Sequence, residues 1–164
     1  MPNKKQESNK SNYGVNEIQK TANQYCSKNN IPKINIIFSN RNLGKGRAYY
    51  ETFRYKTSEK HIPKNIIIGE WNLISDYPDE WIEALAHELA HHEINAKKNL
   101  LTHSQEHNKT THKILSFLNE SKRLYDKIFF WETNKKKICN NYKDVAKFDY
   151  DNELKKMKDK LKNL

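Results

Sequence analysis

The segment EALAHELAHHEIN, residues 83–95, constrains this chain more than any other. His87 and His91 stand four apart with Glu88 after the first, the pattern H-E-x-x-H. In an α-helix, residues four apart share a face. Two imidazoles so placed reach one metal ion, with the glutamate beside them but not ligating. The chemistry therefore requires a helix here. The flanks agree. Asp76 precedes Pro78 and the acidic pair Asp79 and Glu80, an N-terminal helix signal. Lys97 and Lys98 fall where cations favour the helix dipole. The pattern predicts a helix from about Tyr77 to Lys97 or Lys98, with Trp81, Ile82, Leu85 and Leu89 facing the core.

The chain has seven histidines, and His103, His107 and His112 follow this segment closely. A catalytic zinc takes three protein ligands and keeps one position open. His103, His107, His112, Glu106 and Glu120 are candidates for the third. His92 lies off the ligand face and is expected at the surface or hydrogen-bonded to a ligand. The longer pattern H-E-x-x-H-x-x-G-x-x-H is absent, because Ile94 and Lys97 occupy its glycine and histidine positions. In such a site Glu88 is the general base that activates water for attack on a carbonyl. Arg123, Tyr125 and His112 are candidate donors to the oxyanion.

The surrounding chain reads as α+β. Residues 15–28 place Val15, Ile18, Ala22, Tyr25 and Cys26 at helical spacing. KINIIFSN (33–40), RAYYETFRYK (47–56) and NIIIGEW (65–71) read as strands, with a turn at NLGKGR. Three strands in close succession predict a small, mainly antiparallel sheet packed with the H-E-x-x-H helix. Tyr49, Tyr50, Phe53 and Tyr55 alternate on the second strand. If that strand borders the cleft, it can take an extended peptide by β-augmentation. A helix over 109–131 and an amphipathic one near the C-terminus follow, separated by ETNKKK. The expected organisation is a disordered tail at 1–12, a core at 13–131 and a basic helical extension at 132–164.

Charge is uneven. The formal net charge is +10, and residues 97–164 carry 17 basic against 9 acidic side chains. Such a balance suits either an anionic partner such as DNA or a solvated lysine-rich surface. Two distant cysteines, Cys26 and Cys139, exclude a disulfide-dense scaffold and a four-cysteine zinc module. The N-terminus lacks the apolar run of a secretory signal, and no window approaches a membrane span. The expected setting is intracellular, cytoplasmic or nucleoid-associated, with no membrane partner.

The block GRAYYETFRYKTSEKHIPKNIIIGEWNLISDYPDEWIEALAHELAHH resembles the core of SprT-like metallopeptidases, small gluzincin-type zinc proteins. HNKTTHKILSFL is similar to that family's third-ligand segment, with His107 at the ligand position. The resemblance spans about residues 34–118. It departs at Asn108, where the family has a small residue, and in lacking the C-terminal zinc ribbon of many members. Asn119-Glu120 resembles instead the larger gluzincins, in which such a glutamate ligates zinc. The resemblance implies a zincin-like fold with Zn2+ on His87, His91 and His107. It implies a metalloendopeptidase with Glu88 as base, acting on proteins or peptides, including proteins held near DNA. The competing expectation is a non-catalytic nucleic-acid-binding protein with a structural zinc. A closed site containing both His103 and His107 would favour it.

Overall fold

The computed structural model describes residues 13–39, 48–69 and 80–164. The elements are α1 (Val15–Lys28), β1 (Asn35–Ser39), β2 (Ala48–Phe53), β3 (Ile62–Gly69), α2 (Glu80–Lys98), α3 (Gln105–Thr133), α4 (Lys135–Asn141) and α5 (Tyr150–Lys162). The class is α+β, as expected. The 1–12 tail, the turn at 42–47 and the helix start at Asp76 to Asp79 lie outside the described residues.

The chain divides into two compact units, one of residues 15–121 and one of residues 122–164 with 13–14. The division falls inside α3, after Ser121 rather than after Trp131. Helix α3 also starts earlier than its apolar pattern suggests. Ser104 accepts a hydrogen bond from the backbone N–H of His107 at 3.2 Å, an N-cap contact that begins the helix at Gln105.

In the first unit the sheet order is β1-β3-β2. Strand β2 runs antiparallel to β3, with Tyr50 opposite Ile66 and a register shift between Glu51 and Thr52. Strand β1 runs parallel to β3, with Ile36 also opposite Ile66. The sheet is thus mixed rather than mainly antiparallel, because β3 inserts between the two earlier strands. Among the described residues both β1 and β2 are edges. Gln19 of α1 closes the β1 edge: its amide donates to the Ile34 carbonyl at 2.9 Å and accepts from the Ile36 N–H at 2.8 Å.

Helix α1 packs against β1, and α2 packs against β2 and β3. Helix α2 is enclosed: from Leu85 to Asn95 every residue except His87 is buried. Leu85, Ala86, Leu89, Ala90 and Ile94 supply apolar surface, but the same stretch carries Glu88, His91, His92, Glu93 and Asn95. Buried polar groups need partners. Glu93 finds three: the Tyr25 hydroxyl from α1, Lys97 Nζ at 2.6 Å and Lys113 Nζ of α3 at 2.9 Å. Burial pushes its carboxyl up, but the bonds from Lys97, Tyr25 and Lys113 outweigh this and hold it below the usual range. One carboxylate thereby ties α1, α2 and α3 together.

In the second unit, Trp131, Ile138 and Tyr150 form a small core joined by Cys139, Phe148, Leu154 and Met157. Tyr150 stacks on Trp131 with centroids 5.7 Å apart, and its hydroxyl donates to the Trp131 carbonyl at 2.7 Å. Asp149 caps α5 by accepting from the Asn152 N–H. No helix among the described residues is long and apolar enough to cross a membrane.

Replacing Glu93 tests the tie between the helices. Both lysines are about half exposed, so their ion pairs are screened. The larger loss is the buried Tyr25 hydroxyl left without its acceptor. Glu93→Ala is expected to lower unfolding free energy by about 2 kcal/mol in urea titrations. An unchanged midpoint would show that the tie carries no stability.

Candidate metal centre

Four histidines converge in the first unit. His87, His91, His103 and His107 each offer a ring nitrogen, and these atoms all lie within 4.8 Å of one another. His87 and His91 come from one face of α2, as the four-residue spacing requires. His107 comes from the first turn of α3 and His103 from the non-helical stretch just before it.

The contacts are close. His103 Nε2 stands 3.1 Å from His87 Nε2 and 3.1 Å from His91 Nε2. A tetrahedral ion with bonds of about 2.1 Å spaces its ligand atoms by about 3.4 Å, so these separations are near those of ligands sharing an ion. One nitrogen has one proton or one lone pair, so His103 Nε2 cannot make two good hydrogen bonds here. His107 points the same way. Its Nε2–H donates to the His87 carbonyl at 3.1 Å, which leaves Nδ1 as the acceptor nitrogen. That Nδ1 is buried and has no hydrogen-bond partner. A cation is the species that would satisfy all these lone pairs at once. The four residues could hold a metal ion.

Their electrostatics fit that role. Burial, and then the neighbouring histidines, push His91 down to about 4. Burial likewise lowers His87 and His107 below the usual histidine range. The imidazoles of His87, His91 and His107 are therefore neutral near pH 7, the state in which they ligate.

Glu88 faces the same place. A cavity of about 340 Å³ is lined by Ala48, Tyr49 and Tyr50 of β2, His87, Glu88 and His91 of α2, and Leu101 and His103 beyond it. Glu88 is buried, which raises its carboxyl to about 7, while a hydrogen bond from the Tyr50 backbone partly opposes the rise. It is close to the histidines yet outside the group that could bind an ion. A carboxylate so placed can exchange protons near neutral pH.

The remaining candidates lie elsewhere. His112 is exposed, five residues past His107 and so about 140° round the helix. Glu120 lies about 20 Å farther along α3 than His107. Glu106 is exposed and pairs with Lys98 at 2.8 Å. Tyr125 packs edge-on against Tyr13 in the second unit. His92 is fully buried rather than at the surface. Its Nε2–H donates to the Pro32 carbonyl at 2.7 Å, and its Nδ1 accepts from the Tyr50 hydroxyl at 3.1 Å. It therefore braces Tyr50, the residue whose backbone reaches Glu88. The helix alone gives no sign of this, since His92 shares one polar arc with His87, Glu88, His91 and Asn95.

No protein-family model, curated protein or solved structure matches this chain.

Metal should bind the folded state and stabilise it. Zinc at about 1,000 times its dissociation constant is expected to add about 4 kcal/mol, read as a higher melting temperature that EDTA reverses. The joint replacement of His87 and His91 by Ala is expected to abolish the shift, and His112→Ala to leave it intact. A melting temperature indifferent to metal would contradict the site.

Proposed function

We propose that this chain is a zinc-dependent endopeptidase of the SprT-like kind. One observation carries the reading: Glu88 shares a cavity with His87, His91 and His103 while standing outside the nitrogen cluster. A purely structural metal needs no buried carboxyl of that kind. Imidazole donors suit zinc better than magnesium or calcium. Zinc, when bound, supplies Lewis acidity, polarising a carbonyl and making a water acidic.

The chain's own residues do the rest. His87, His91 and His107 hold the ion. Glu88 accepts the proton of the attacking water on a carboxylate oxygen and returns it to the leaving amine. The Tyr50 N–H orients that carboxylate. Among the described residues strand β2 is an edge of the sheet, and it lines the cavity. An extended peptide would pair with it through main-chain hydrogen bonds, which orients a substrate without demanding a side-chain sequence. The SprT-like sequence block supports the same activity. The 17 basic against 9 acidic residues of 97–164 support substrates held near DNA.

A second reading has one observation in its favour. The fourth histidine can close the coordination sphere, as in structural sites. On that reading the chain is a nucleic-acid-binding protein stabilised by zinc.

Glu88→Gln separates the two. Zinc content should be unchanged, and cleavage of an unfolded protein should fall by about 10²–10⁴-fold, measured with and without DNA. Undiminished cleavage in the variant would overturn the mechanism. DNA binding by a zinc-loaded wild type that cleaves nothing would favour the second reading.

A further inference from the structure

We infer that His103 is an exchangeable fourth ligand, which closes the metal site at rest and withdraws to open the coordination position beside Glu88. The inference rests on the metal site of the preceding reading and adds to it the means by which the site is opened.

Its position is that of a ligand. His103 Nε2 makes near-equal approaches to the nitrogens of His87 and His91, both close to the edge of a zinc tetrahedron. Its anchorage is not that of the others. His87 and His91 are fixed on an enclosed helix. His107 is 1% exposed and held at both ends, by Ser104 at its backbone and by the His87 carbonyl at its ring. His103 is the exposed member of the four and lies in no helix. Among the described residues its polar and ring contacts are all with the other three histidines.

The stretch that carries it is fixed at its two ends and loose between them. Asn99 ends α2 with φ 52°, donating its N–H to the Asn95 carbonyl at 2.8 Å. Its side chain accepts from the His61 N–H and donates to the Glu59 carbonyl, which pins it to the segment between β2 and β3. Ser104 caps α3 at the other end. Residues 100–103 lie between, with Leu100 exposed. They can therefore shift without unwinding either helix. Leu101 and His103 both line the cavity that holds Glu88, so the same shift would widen it. Pairing of a substrate with β2 would bring a peptide into the space these two side chains occupy.

Cobalt(II) in place of zinc makes coordination visible. Wild type, His103→Ala and His107→Ala are loaded with cobalt, and affinity, stoichiometry and the visible spectrum are read with and without azide. In His103→Ala we expect one ion per chain, an affinity about 10–100-fold weaker, and a spectrum that azide shifts at concentrations leaving wild type unchanged. His107→Ala should lose the ion. With zinc, His103→Ala should cleave an unfolded protein faster than wild type. A wild-type spectrum and affinity in His103→Ala would overturn the inference, since His103 would be no ligand. So would loss of the ion as complete as in His107→Ala, since His103 would then be indispensable. Expected spectra without cleavage by either protein would uphold the exchange and overturn the peptidase reading instead.

Discussion

Helix α2 is buried on nearly every side while carrying polar and ionisable groups, and the first unit is arranged around that constraint. A helix enclosed in this way is ordinarily apolar all round. Here each polar side chain is met by a different element. Tyr25 of α1 and Lys113 of α3 come to Glu93. The Pro32 carbonyl and the Tyr50 hydroxyl come to His92. Asn95 donates to Tyr50 and to the His61 carbonyl. These bonds specify which elements surround the helix and in what register. His87 and His91 are the exception, because the groups that meet them are two more histidines. Protons alone cannot satisfy that cluster, and a cation can.

The same arrangement explains why the site adjoins the sheet. Strand β1 has its outer edge closed by Gln19, whereas β2 borders the cavity. Tyr50 meets one face of α2 at two points, its hydroxyl bracing His92 and its backbone meeting Glu88. Support for Glu88 thus comes from a strand and a helix rather than from a loop. The one candidate ligand on a loosely held segment, His103, is also the most exposed.

Much of this was legible in the sequence, for physical reasons. The four-residue histidine spacing and the apolar positions of α2 obey one helical period, so the helix and its ligand face could be read locally. The strands were visible as runs such as NIIF and NIII. Their mixed pairing was not, because strand order depends on contacts between residues far apart in sequence. His107 was marked only by the resemblance of HNKTTHKILSFL to the third-ligand segment of SprT-like proteins. His103 was harder to rank, since the return path of a short non-helical segment leaves no periodicity. The Ser104 cap was a readable sign that α3 begins before residue 109. The burial of His92 follows from the enclosure of α2, which a helix considered alone does not reveal.

The central claim is that the histidines on α2 and those that follow it form one metal site. The most direct test is the metal content of the chain after purification with zinc and extensive dialysis, by native mass spectrometry. It should be compared with the variant in which His87 and His91 are both replaced by Ala. One zinc per folded wild-type chain and none in the variant is the expected result. A folded wild type without metal, or a variant that keeps it, would show that these histidines do not form a metal site.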